Sequence, residues 1–170
     1  MAQSGAIGLA GDGYTPNVGQ GQFHDCERGW QDILVRLCRR IEIALRDREE
    51  FEFVRIKQKM GILRVDWDAE ASKETEAEID HAGDLAVARS ACTCEICGAE
   101  GRLYSDHGWL GTRCAEHATG DPMPPRYGLG FETVRRLRRW RDQADVYYAR
   151  YDREADTLTE VIPPSQRQER

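Results

Sequence analysis

The pair Cys94-Glu-Ile-Cys97 is followed, after a sixteen-residue spacer, by the pair Cys114-Ala-Glu-His117. Two soft donors separated by two residues can chelate one ion from a single tight turn. Gly98, directly after the first pair, frees the backbone to bend there. Two such pairs complete the four-coordinate shell of a structural zinc site, here with three thiolates and one imidazole. The spacer 98–113 must then leave and return to one point, which it can do as a short hairpin turning at Gly108 or Gly111. A treble-clef or zinc-ribbon-like finger over 92–118 is therefore expected. Cys92 lacks the two-residue gap, and His107 falls in mid-spacer, where the hairpin carries it away as an exposed turn residue. The competing reading leaves the thiols as reduced bystanders. A closed shell has no position for a reacting water, so the expected Zn2+ is structural, and it lends folding energy to a segment too small to build a core.

The cysteine placement supports metal over disulfides. Four of the six cysteines lie between Cys92 and Cys114, and the N-terminus lacks a basic start followed by an apolar stretch. No apolar run approaches the roughly 20 residues of a membrane span. A cytoplasmic protein with no membrane partner is expected. The net charge of -6 argues against binding nucleic acid over the whole surface, while leaving room for local basic patches. At 170 residues the chain has room for one domain with appendages.

Along the chain, residues 1–21 hold six of the 16 glycines and a single charge, Asp12, and read as a disordered leader. From Asp25, a plausible N-cap, the apolar positions Trp30, Leu34, Leu37, Ile41 and Leu45 recur at helical spacing, with Ile33 and Cys38 beside them. Around Gly61 the pattern switches to period two. Val54 and Ile56, then Leu63, Val65 and Trp67, alternate with charged residues, as expected of a β-hairpin with a positive φ at Gly61. Residues 68–91 read as an acidic helix with a narrow stripe of Ile79, Ala82, Leu85 and Ala86. From Asp66 to Ser90 there are eight carboxylates against Lys73 and Arg89. Pro122, Pro124 and Pro125 mark a linker over 120–130. A last amphipathic helix is expected over 131–160, with Val134, Leu137, Ala144, Tyr148, Tyr151 and Ala155 near one face, before a polar tail at 161–170.

Two groups of cations are candidates for partner contacts. With the apolar hairpin residues facing in, Arg55, Lys57, Lys59 and Arg64 share the outer face and suit phosphate or carboxylate groups. The plainer alternative is a solvated face, neutralised by the acidic helix folding across it. The C-terminal helix carries seven arginines from Arg135 to Arg153, interleaved with Trp140, Tyr147, Tyr148 and Tyr151. Of these, Arg135, Arg138, Arg139, Tyr148 and Tyr151 are the candidate contacts, since arginine with aromatics is the composition of interface anchors and nucleic-acid grooves. The alternative is a helix that packs its tyrosines on its own domain.

The run Cys94-x-x-Cys97-Gly98, Gly108-Trp109, Thr112-x-Cys114-x-x-His117-Ala118 also accompanies a hairpin Ile56-Lys57-x-Lys59-Met60-Gly61-x-Leu63-Arg64 and a Gly29-Trp30 pair. In this combination, residues 24–118 resemble a group of small, uncharacterised bacteriophage and prophage zinc-finger proteins. Met60 stands in place of an aromatic and Ile62 in place of a second glycine. The resemblance implies a phage context and a zinc finger. From that context follows the expectation of a non-enzymatic binding protein in the bacterial host cytoplasm. Its target would be a host protein or nucleoprotein, such as a defence system (anti-CRISPR-like inhibition) or the transcription machinery. The alternative is a nucleic-acid-binding protein or a degenerate ββα-metal, HNH-like nuclease with Asp106-His107 between its knuckles. Only six residues separate His107 from Cys114, too few for the longer loop and further histidine of those enzymes. The expected fold is α+β: helix, hairpin, acidic helix and finger within 22–119, followed by linker, C-terminal helix and tail.

Overall fold

The computed structural model describes residues 26–124, 134–138 and 146–161. The leader, Asp25, residues 125–130 of the linker, Arg139 and residues 162–170 of the tail lie outside them. A short 3-10 turn, Arg28–Trp30, leads into α1, Gln31–Ala44. A long antiparallel hairpin follows, β1 (Glu50–Lys59) and β2 (Ile62–Glu70), then α2, Lys73–Ser90. The finger contributes β3 (Arg102–Asp106), β4 (Trp109–Arg113) and the two-residue edge strand β5 (Asp121–Pro122), in the order β4-β3-β5. The remaining strands are β6 (Val134–Arg138), β7 (Val146–Asp152) and β8 (Thr157–Glu160), an antiparallel sheet in sequence order. The molecule is a mixed helix and sheet protein built from two helices and small antiparallel sheets among the described residues.

The periodic residues of α1 form the buried face. Ile33, Leu34, Leu37, Cys38 and Ile41 meet Ile79, Ala82 and Ala86 of α2 and Phe53, Ile56, Leu63 and Trp67 of the hairpin. Each fully buried large side chain in such a cluster stabilises by roughly 1.5–3 kcal/mol. α2 starts at Ser72, whose hydroxyl accepts from the Thr75 N–H at 3.2 Å. Its far end is fixed to β2, since the Leu63 N–H donates to Ser90 Oγ at 2.9 Å.

Two expectations about this part are corrected. Residues 68–70 continue β2, so the acidic helix starts later than 68. Val54 does not face inward but is 59% exposed. The pairing shifts between Phe53 and Arg55, a β-bulge at Val54, so Phe53 takes the inward place opposite Trp67. α2 packs with the inner-face core, and Arg55, Lys59 and Arg64 stay exposed.

The C-terminal helix expected over 131–160 is not formed: residues 134–138, 146–152 and 157–160 are strands. Within β7, Ala149 and Tyr151 are buried while Arg150 and Asp152 are exposed, which is the period of a strand and not of a helix. The sheet is held to the domain by its β7–β8 turn. Tyr151 packs with Leu85 and Ala88 of α2, and its hydroxyl accepts from Arg89 at 3.1 Å and donates to Asp156 at 2.6 Å. Asp156, at φ 53°, also accepts from Arg40 of α1 at 2.7 Å. Burial raises the Asp156 carboxyl, but the Tyr151 hydroxyl and the guanidinium groups of Arg40 and Arg89 outweigh it and hold it below its ordinary range. Tyr151 is thus a core residue of its own chain rather than a partner contact, and Tyr148 is half-buried.

Candidate metal centre

The first knuckle is a tight turn. The Gly98 N–H donates to Cys94 O at 2.9 Å and the Cys94 N–H to Ala99 O at 2.8 Å, with Gly98 at φ 80°. The second is a turn after β4, closed by the His117 N–H donating to Cys114 O at 3.2 Å. A Glu95 N–H to Thr112 O bond of 3.0 Å brings the two together. Between them, β3 and β4 turn at His107-Gly108, both at positive φ, the signature of a two-residue hairpin turn.

This folding gathers the ligand atoms of Cys94, Cys97, Cys114 and His117 to within 4.8 Å of one another. Cys97 Sγ lies 3.7 Å from Cys114 Sγ, and His117 Nδ1 lies 3.2 Å from Cys114 Sγ and 3.8 Å from Cys94 Sγ. A tetrahedral ion bound at about 2.3 Å to sulfur and 2.0–2.1 Å to nitrogen separates its ligands by roughly 3.5–3.8 Å. The spacing is compatible with one metal ion held by the four side chains named from the sequence. Burial acts to raise the Cys94 thiol. Backbone N–H groups of Cys114, Cys97 and Ile96 point at its sulfur and bring it down to about 6, so the pocket favours a thiolate. Cys92 bonds to α2 carbonyls instead, at 3.3 Å from Arg89 O, and His107 is 95% exposed, bound to Asp106 at 2.6 Å.

The sequence left the surroundings of this site unread. Gly29, next to Trp30, sits against the first knuckle: a β-carbon there would lie 2.2 Å from Cys94 O. Its N–H donates to Glu95 O at 2.8 Å, and Trp30 Nε1 donates to Thr93 O at 2.9 Å. The hairpin turn at Met60-Gly61 fits the finger from the other side. Thr112 Oγ1 donates to Gly61 O at 2.6 Å, and Gln58 Nε2 to Leu110 O at 2.8 Å. Gly61 has φ 80°, and a β-carbon on it would lie 2.3 Å from Leu103 Cδ1. Buried Glu95, inside the knuckle, pairs with Arg113, the neighbour of Cys114. Arg153 of the β7–β8 turn reaches Gly98 O at 3.4 Å. The finger is therefore seated on the 3-10 turn, the long hairpin and the C-terminal sheet together. The Gly29-Trp30 pair and the hairpin turn at Gly61 had a visible signal, as companions of the finger in the resemblance; Glu95, Arg113 and Arg153 had none.

Of the candidate contact residues, the hairpin set comes together. Arg55, Lys59 and Arg64 are exposed and Lys57 is half-buried, with Lys57 directly opposite Arg64. Arg135 and Arg138 lie on a strand, β6, and not on the expected helix. Trp109, at the tip of the finger, is 83% exposed and was not singled out as a contact residue; Met60 at the adjoining turn is 63% exposed. Among the described residues no helix is long and apolar enough to cross a membrane. Comparison with protein-family models, with curated proteins and with solved structures gave no match.

Proposed function

We propose that this chain is a non-enzymatic binding protein whose finger is stapled by one structural zinc ion. The observation that carries the reading is the donor set: three cysteine sulfurs and one imidazole lie within 4.8 Å of one another, enough to fill a tetrahedral shell and leave no position for a reacting water. Three sulfurs with one nitrogen select zinc over the harder divalent ions. The contact surface is the finger tip. A tryptophan 83% exposed at the start of β4, directly after the two-residue turn, is the composition of an interface anchor. The partner is a protein or nucleoprotein; a phage setting and a host target in defence or transcription follow from the resemblance of 24–118.

The nuclease alternative has less support. Its candidate base, His107, stands on a turn tip, 95% exposed and bonded to Asp106, and among the described residues it belongs to no group of three or more possible metal ligands. The test is an affinity purification of the zinc-loaded protein from a bacterial host lysate, with and without nuclease treatment, beside Trp109→Ala. A stoichiometric partner retained after nuclease and lost with Trp109→Ala supports the reading. Magnesium-dependent cleavage of nucleic acid that disappears in His107→Ala overturns it.

A further inference from the structure

The outer face of the β1–β2 hairpin is sorted by charge along its length. Near the turn it presents Arg55, Lys57, Lys59 and Arg64; near the open end it presents Glu50, Glu52, Asp68 and Glu70. The sorting runs across the strands as well. Lys57 is paired with Arg64, Glu52 with Asp68, and Glu50 with Glu70, so three cross-strand positions set like charges directly opposite each other. Such pairs destabilise a hairpin, each by a few tenths of a kcal/mol or more. The opposite-sign cross-strand pair of the face, Arg55 with Asp66, marks the boundary, where Arg64 also pairs with Asp66 at 3.3 Å, and there the bulge pushes Val54 outward to 59% exposure. The acidic end holds a shallow depression of about 290 Å³ lined by Glu50, Phe51, Glu52, Asp68, Ala69 and Glu70.

We infer that this face is a self-complementary interface on which a second copy of the chain seats, antiparallel, about a two-fold axis through Val54. A polyanion would satisfy the turn end and be repelled by the open end, and a polycation the reverse. One partner satisfies both ends: the same face turned through half a revolution, with the cations of each copy over the carboxylates of the other. The two Val54 side chains then meet at the axis, where the bulge has placed the single exposed apolar group of β1. Lys57 and Lys59 lie three and five residues from Val54 on one side, and Glu52 and Glu50 two and four on the other, so at a rise of about 3.3 Å per residue the two sets come within one residue of register. A face two strands wide buries less than the roughly 1,200 Å² of a standard interface, so the dimer is weak and held by charge. The two hairpin turns, each with a finger packed against it through Thr112 and Leu103, come to opposite ends of the dimer. The inference stands on the hairpin alone and does not depend on the function of the finger.

The experiment is sedimentation velocity on the full-length, metal-loaded chain at about 100 µM. Three samples are compared: the wild type, Lys57→Glu/Lys59→Glu, and Glu52→Lys/Asp68→Lys. The wild type is expected at twice the 19.4 kDa chain mass in low salt, and as monomer when ionic strength is raised about tenfold. Each charge-reversed protein alone is expected as monomer. An equimolar mixture of the two is expected to regain the doubled mass, since the reversed positions of one variant then face the reversed positions of the other, and the untouched carboxylates of the first face the untouched cations of the second. Circular dichroism and metal content confirm that the variants are folded. A wild type that stays monomeric in low salt overturns the inference. So does a dimer that the reversals leave intact, or a mixture of folded variants that fails to associate.

Discussion

Replacing Gly29 by alanine tests the seating of the metal knuckle on the helical layer. The added β-carbon would lie 2.2 Å from Cys94 O and 2.6 Å from both the carbonyl carbon and oxygen of Glu95. These are backbone atoms inside a two-residue chelate, so neither neighbour can rotate away as a side-chain end would. Contact at an ordinary 3.4 Å or more requires the knuckle to move by about 1 Å, and overpacking of that kind costs about 1–3 kcal/mol. The Gly29 N–H to Glu95 O bond of 2.8 Å is lost or stretched with it, for a further 0.5–1.5 kcal/mol or so. Together these predict a loss of about 2–4 kcal/mol. For a unit of about 100 residues that is a fall in Tm of more than about 10 °C. Because the displaced atoms belong to the ligand turn, metal should also leave faster under a chelator. The control is Gly83→Ala in α2, where a β-carbon meets nothing within 4 Å. There the higher helix propensity of alanine should stabilise by up to about 1 kcal/mol. Thermal unfolding and chelator-challenge kinetics of both variants are the assay. A Gly29→Ala protein with wild-type Tm and metal retention, or a Gly83→Ala protein that suffers equally, would refute the reasoning.

Cys97→Ser and Cys114→Ser should each lower metal content and Tm together, by metal analysis and calorimetry, since binding energy and folding energy are one quantity at such a site. Trp109→Ala should change stability by less than about 0.5 kcal/mol, because the ring is 83% exposed, and any loss of partner binding then belongs to the surface. Deleting residues 128–170 should leave a destabilised core, because it removes buried Tyr151, Asp156 and the Arg153 contact to Gly98 O. A truncated protein with unchanged Tm would contradict that. Glu49→Gln addresses acid stability. The Ser72 and Arg46 N–H groups hold the Glu49 carboxyl at about 2, well below its ordinary 4.5. A lowered folded-state value gives stability that is fully present above about 4.5 and is lost as pH falls toward 2. The Tm gap between wild type and variant should therefore be constant above pH 5 and narrow on acidification; a gap that widens there would reverse the sign.

The donor set was legible because chelation from a tight turn demands both residue type and spacing, and Cys94, Cys97, Cys114 and His117 satisfy both. The buried face of α1 and the hairpin turn at Gly61 were legible for a similar reason, as local patterns with one period. Val54 was misplaced because a bulge adds one residue, and nothing in an alternating run marks where the alternation slips. The C-terminal strands were read as a helix because Tyr148 and Tyr151 stand three apart among arginines. What decides their state is tertiary: Tyr151 meets Arg89 from 62 positions away, and Asp156 meets Arg40 from 116. The same separation hid the Gly29 docking, which no window around residue 29 contains. The paired like charges of the hairpin were visible as a basic face, but their sorting by sign needed the register.

X-ray absorption at the zinc edge of the purified full-length protein, with metal quantified per chain, tests the central claim most directly. The account predicts one zinc per chain with three sulfur neighbours at about 2.3 Å and one imidazole nitrogen at about 2.0–2.1 Å. Substoichiometric metal, a shell containing oxygen, or fewer than three sulfurs would contradict it.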